Sequence, residues 1–341
     1  MDPLTNSLAA FALSRTGLGR TGLGRLSWRG EAALILGANL PDLDYLSVPF
    51  SWANLVTFVG GPLHSLAAAP LLATVLVLLL RLRTRESISF PRLWLLSLAG
   101  LGLRLTLDAM GVDGIQLLYP FSRDWFHLDV LPWFDPWLFL LLLGYAFWPW
   151  ISHLVNIEMG IRQVAGRGFA FFVLLLSAGY VGYRAANRAE AISVIANYSY
   201  GGEVPLREGC FPDTYSLVRV RCVVETDSHF ANIDYFVGEV YDATQAQLLK
   251  RQNRPVWQVA QFQSVWYQQI SDRLRMPHWT VFPADFPAGA REAVMQDLIL
   301  APEPYPQFRL RILLDSQERL IEETLVMDTL AFGRVESALT K

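Results

Sequence analysis

Gly37-Ala38-Asn39-Leu40-Pro41-Asp42-Leu43-Asp44-Tyr45 decides how this chain is read. It follows a short apolar run and sets two carboxylates, with no basic residue beside them, at what reads as a membrane boundary. Carboxylates at such a depth are costly unless a cation sits with them. Two later residues, His64 and Asp108, also stand at the ends of apolar segments. The question is whether these side chains meet, and what supplies the balancing charge.

Outward from that stretch, the composition points to a membrane. Of 341 residues, 52% are hydrophobic and only 17% charged. The apolar residues concentrate before about residue 185 and the charged ones after it. Runs of roughly 18 apolar residues read as spanning helices. A net charge of -3 gives no broad basic surface, which argues against nucleic acid as a partner. Residues 1–30 do not read as a signal peptide, because Asp2 is acidic and the arginines follow the apolar stretch. The expected partner is the lipid bilayer.

Residues 4–18 read as a helix, with Asp2 as its cap and Pro3 in its first turn. Residues 19–30, holding Arg20, Arg25 and Arg29, read as a turn, and Ala32 to Leu40 as a second arm ended by Pro41. The arms form either a hairpin crossing a thinned bilayer or an interfacial amphipathic hairpin. Residues 45–63 read as a surface loop with an interfacial piece, Trp52 to Val59. Expected spans follow at Ser65–Leu80, Leu93–Leu107, Trp137–Ile151 and Phe169–Tyr183, giving about four to six helices in all. Between them lies an aromatic and acidic loop, 109–135.

Arginine is distributed unevenly among the connections. Arg15, Arg20, Arg25, Arg29, the cluster Arg81 to Arg92, and Arg162 with Arg167 fall on one side if the hairpin counts as two crossings. The opposite loops, 42–64 and 109–135, share one arginine, Arg123. The positive-inside rule therefore puts Asn6, Asp42, Asp44, His64, Asp108 and everything after Tyr183 outside the cytoplasm. The expectation is a multi-pass protein of the bacterial inner membrane.

The fold class expected is an α-helical membrane domain, residues 1–185, followed by a strand-rich α+β extracytoplasmic domain, 190–341. Ser216–Glu225, Asp234–Tyr241, Gln307–Leu314 and Leu320–Met327 read as strands, and Gln261–Arg275 as a helix. Cys210 and Cys222 both fall in this part, where a disulfide is permitted; Cys222 reads equally as a buried strand residue.

Antiparallel neighbours joined by a short loop would bring His64 and Asp108 to one depth, with Asp42 and Asp44 at the same face. Carboxylates plus an imidazole suit a divalent metal ion, magnesium or manganese somewhat better than zinc. Such an ion acidifies water and polarises phosphoryl or acyl oxygens, which implies hydrolysis of a phosphoester or lipid-like substrate. The plainer readings are an aspartate capping a turn, a hydrogen-bonded interfacial histidine, and an Arg104–Asp108 pair along one helix. His127, Asp129 and Asp135 read as solvated loop residues held in reserve as ligands. His153 falls on the inner side; His229 and His278 lie in the soluble part.

Several segments together resemble the YdjM-type inner-membrane proteins, described as membrane-bound metal-dependent hydrolases. They are Met1-Asp2-Pro3-Leu4-Thr5, Leu40-Pro41-Asp42-Leu43-Asp44, Gly61-Pro62-Leu63-His64-Ser65, Leu107-Asp108-Ala109 and Gly114 to Ser122, with an echo at Trp279 to Pro283. The resemblance implies a metal held by Asp42, Asp44, His64 and Asp108. It also implies histidines where this chain has Asn6, Val59 and Arg104. Those departures open a second reading: Arg104 takes the metal's place, its guanidinium accepting the carboxylates. The chain is then a non-catalytic membrane protein whose outer domain binds an envelope partner.

Overall fold

A computed structural model describes residues 1–18, 27–51, 53–82, 89–159, 167–251, 254–284, 289–300, 308–329 and 333–340. The chain divides into two compact units. The first comprises Met1–Asp44, Gly60–Ala186 and Pro212–Leu217; the second comprises Tyr45–Val59, Asn187–Phe211 and Val218–Lys341.

In the first unit, α1 (Pro3–Arg15) starts as its sequence requires: Pro3 occupies the first turn and the Asp2 carboxylate accepts from the Thr5 amide at 2.8 Å. The second helix, α2 (Trp28–Gly37), begins before its apolar stripe, because Ser27 accepts from the Gly30 amide at 3.3 Å. The expected turn therefore stops short of residue 30; its other arginines, Arg20 and Arg25, lie outside the described residues. A 3-10 turn, Leu40–Ser47, carries Asp42 and Asp44. The remaining helices of this unit are α4 (Ala68–Leu82), α5 (Phe90–Ala109) and α6 (Pro136–Met159), α3 belonging to the other unit. They are joined by most of α7 (Arg167–Ile195).

Close packing sets where the helix ends fall. Gly37 and Gly100 let α2 and α5 meet backbone to backbone, and a Cβ at Gly37 would lie 2.6 Å from the Ser97 carbonyl oxygen. Around that crossing Ala33, Leu34, Val77, Leu93 and Leu96 are buried together. A second cluster joins α1 to α6 and α7 through Ala9, Ala12, Leu138, Leu142, Ala170 and Val173.

Among the described residues α7 alone is long and apolar enough to cross a membrane by itself. The apolar part of α6, Pro136–Trp148, is shorter, and α4 has 15 residues. The helix at 169–183 was expected to stop at Tyr183, but it runs on to Ile195. Its last turns supply Ala191 and Ile195 to the core of the second unit.

The second unit holds two antiparallel sheets. The first has the order β1-β2-β3-β4: β1 (Arg207–Pro212), β2 (Arg219–Glu225), β3 (His229–Phe236) and β4 (Gln247–Lys250). Helices α8 (Arg254–Gln263) and α9 (Val265–Ile270) follow. The second sheet is β5-β6-β7-β8-β9: β5 (Pro277–Pro283), β6 (Arg291–Asp297), β7 (Phe308–Leu314), β8 (Leu320–Thr329) and β9 (Gly333–Thr340). Cys210 of β1 and Cys222 of β2 form a disulfide.

Several local expectations change. The single helix over 261–275 is two, broken where the Ser264 side chain caps α9 on the Tyr267 amide. The strand expected at 234–241 ends at Phe236, and the chain turns at Gly238 with φ +84°. The supposed surface piece at 52–59 contains α3 (Asn54–Thr57), whose Val56 is buried in the core of the second sheet. Arg273 fixes it there, donating to the Val56 carbonyl at 2.9 Å.

Candidate functional site

The first unit gathers Asp42, Asp44, His64, Arg104 and Asp108 into one buried cluster. Asp44 comes from the 3-10 turn after α2. Its Oδ2 accepts from the Gly60 amide at 2.9 Å and lies 3.0 Å from Nδ1 of His64. Gly60 has φ +82° and lies against the Trp125 ring, so only glycine fits this turn without strain. His64 sits in a second 3-10 turn, Pro62–His64, before α4. Its Nε2 is 3.4 Å from Oδ2 of Asp108 and 4.0 Å from Oδ1 of Asp42.

Arg104 and Asp108 are one turn apart on the last stretch of α5. The guanidinium reaches Asp42 through Nη2 at 2.5 Å, and donates through Nη1 to the Met1 carbonyl at 2.8 Å. Its Nε is 2.6 Å from Oδ2 of Asp108, an ion pair by distance that lacks hydrogen-bond alignment. The Met1 amino group meets the other Asp108 oxygen at 2.5 Å. Asn6, fully buried, donates to the same Met1 carbonyl at 3.3 Å. The intrahelical Arg104–Asp108 pair read from sequence is present, but as one arm of a larger bridge.

The donor set bears directly on a metal. Asp42 and Asp108 already pair with the Arg104 guanidinium and Asp108 also with the Met1 amino group, while Asp44 faces the His64 ring. A divalent ion among them would lie against a guanidinium that cannot deprotonate. Asp42 Oδ2, Asn6 Oδ1 and Asp108 Oδ2 accept no hydrogen bond, but the Asp108 oxygen already lies 2.6 Å from the guanidinium. Among the described residues no group of three or more His, Cys, Asp and Glu is arranged to hold a metal. As they stand, the residues do not fit the ion. Val59 belongs to the second unit, where its amide donates to the Asn54 carbonyl at 3.0 Å.

Of the reserve residues, His127 stays part-exposed, but the two aspartates are not solvated as expected. Asp129 and Asp135 are both buried. Asp129 lies 3.3 Å from Nδ1 of His127. Asp135 caps α6, accepting from the Trp137 and Leu138 amides at 3.1 and 3.0 Å. It also accepts from the Tyr180 hydroxyl at 2.7 Å and from Arg184 at 3.1 Å. Arg184 in turn donates to Tyr180 at 2.7 Å and to the Ser216 carbonyl at 2.8 Å. Sequence reasoning missed this second ionic network, although Asp135-Pro136 carries a helix-start signal and Arg184 closes an apolar run. In the other unit, His229 lies 2.7 Å from the Ser228 hydroxyl and His278 3.2 Å from the Lys250 carbonyl. The side chain of His153 lies outside the described residues.

The first unit thus combines a span-length helix with a buried acid–histidine–arginine cluster at its helix ends. The description "YdjM inner membrane protein" matches residues 1–191, more than half of the chain, and the chain belongs to that family. The uncharacterized protein YfhP of Bacillus subtilis (strain 168) is 28% identical over 117 residues, which are 34% of this chain and 36% of YfhP. The chain thus spans about a third of that relative's length. No solved structure matches.

Proposed function

We propose that this chain is a non-catalytic member of its family, in which Arg104 does the neutralising that a divalent metal would otherwise do. The observation that carries the reading is the Arg104 guanidinium between Asp42 and Asp108, at 2.5 and 2.6 Å. A cation so placed satisfies the carboxylates and repels a second one. The cluster then joins the turn after α2 to the end of α5. In this reading the arginine-rich connections are cytoplasmic, four to six helices lie in the bilayer, and the β-rich unit is extracytoplasmic. Residues 192–341 fall beyond the family match, and the binding of an envelope partner is assigned to them.

A second reading, a metal-dependent hydrolase acting on phosphoester or lipid-like substrates, draws on one observation: the His64 ring faces Asp42, Asp44 and Asp108 together. Metal analysis of the purified protein separates the two. The first reading expects no stoichiometric divalent metal in the wild type and a gain of zinc or manganese in Arg104→His. Stoichiometric metal in the wild type, lost in Asp42→Ala together with phosphoesterase activity, establishes the second reading instead.

A further inference from the structure

Residues 114–122, Gly-Ile-Gln-Leu-Leu-Tyr-Pro-Phe-Ser, carry no charged side chain. They form a tied turn in the first unit. The Phe121 and Ser122 amides donate to the Leu118 carbonyl at 2.9 and 3.2 Å, and the Tyr119 amide to the Gln116 carbonyl at 3.2 Å. The turn nevertheless holds its largest apolar groups outward: Phe121 is 91% exposed and Leu118 55%. Polar residues stand at its base, where the Ser122 hydroxyl donates to Asp124 at 2.6 Å. A hydrogen-bonded turn with an apolar tip is not a chance excursion of slack chain.

The tip continues another uncovered surface. The Leu66 amide donates to the Leu117 carbonyl at 2.9 Å, tying this turn to the segment that enters α4, and Leu66 is itself 55% exposed. Along α4, Leu71, Val75, Leu78 and Leu82 recur at i, i+4, i+7 and i+11, and all are exposed. They form one helical stripe that this fold leaves bare. The 15 residues of α4 measure about 22 Å, short of a hydrocarbon core about 30 Å thick. Apolar surface added at the entry end of α4 relieves that mismatch.

We propose that Leu118 and Phe121, with Leu66, are a membrane-penetrating tip seated in the acyl chains of the leaflet that α4 enters. The tip holds the neighbouring His64 cluster at headgroup depth. The occupant is lipid rather than a protein because the segments that carry the tip and the stripe, residues 114–122 and 65–80, hold no charged side chain. The proposal rests on reading α4 as membrane-embedded.

The two native cysteines are paired with each other, so an introduced cysteine is the single free thiol. The full chain bearing Phe121→Cys, Leu71→Cys or Val240→Cys is nitroxide-labelled and reconstituted in phosphatidylcholine–phosphatidylglycerol vesicles. Collisions with oxygen and with a water-soluble nickel chelate are then compared. Val240, 98% exposed in the second unit, supplies the aqueous reference. The expected result is a several-fold higher oxygen-to-nickel ratio at Phe121 than at Val240, approaching that at Leu71. Nickel access at Phe121 with lipid-like behaviour at Leu71 overturns the tip and leaves α4 in the membrane. Nickel access at Leu71 as well removes α4 from the bilayer and the tip with it. A Phe121 label that neither reagent reaches is covered by protein, which also overturns the proposal.

Discussion

Gly100 of α5 and Leu34 of α2 touch backbone to backbone: a methyl group added at Gly100 would fall inside the Leu34 carbonyl oxygen. Two positions further along α5, Gly102 faces open space. Gly100→Ala forces the helices apart and is expected to cost about 1–3 kcal/mol or more. Gly102→Ala relieves backbone entropy and is expected to be neutral or to stabilise by up to about 1 kcal/mol. Thermal unfolding of both variants in detergent checks the contrast, and equal effects would contradict the crossing.

Arg104→Ala strands Asp42 beside a half-compensated Asp108. Removing one partner of a buried pair typically costs about 3–5 kcal/mol. Arg104→Lys keeps the charge but loses the fork, so an intermediate loss is expected. Arg123, exposed on its loop, gives the control, since Arg123→Ala should change stability by less than about 0.5 kcal/mol.

Asp297, fully buried at the end of β6, accepts from four backbone amides: Arg275, Met276, Ile299 and Leu300. Asp297→Ala leaves all four donors unsatisfied, at a cost on the order of 3 kcal/mol or more. Asp234, half exposed with its arginines at 3.7 and 3.8 Å, should tolerate alanine within about 1 kcal/mol. Denaturant titration followed by tryptophan fluorescence distinguishes the two.

Glu203 provides a pH dependence. Hydrogen bonds from Ser228 and Thr226 hold its carboxyl down at about 2, against an ordinary 4.5. A depressed folded-state value means the unfolded chain binds the proton first. The stabilisation is therefore complete above pH 4.5 and drains away as pH falls toward about 2. Glu203→Gln should flatten the stability profile across that window while leaving its neutral-pH slope unchanged.

The Cys210–Cys222 bond offers a test of sidedness. With the β-rich unit outside the cytoplasm, neither thiol reacts with a maleimide until a reductant is added. In Val240→Cys, a membrane-impermeant maleimide should label intact spheroplasts. Labelling that requires lysis would place the unit on the other side.

Much of the cluster was legible because charged residues stood out against apolar sequence. Asp42, Asp44, His64 and Asp108 each end a hydrophobic run, and Arg104 interrupts one, so burial forces them to find one another. Asp135 and Arg184 obeyed the same logic but escaped notice, because Asp135 lies in a polar, aromatic loop that reads as solvated. In the second unit, β7 and β8 showed themselves through β-branched and leucine-rich runs. By contrast, β6 reads Arg-Glu-Ala-Val-Met-Gln-Asp, a composition with strong helical leaning, and β1 contains both Gly209 and Pro212. Pairing with neighbouring strands, which no local pattern encodes, decides those segments.

The distance along the chain between Asp42 and its cation, 62 positions, orders events during synthesis. Asp42 and Asp44 leave the ribosome well before Arg104 exists. Until α5 is made, Asp42 lacks its guanidinium partner and the cluster cannot close. Biogenesis of the first unit is accordingly a waiting process, completed when a later helix arrives carrying the missing positive charge.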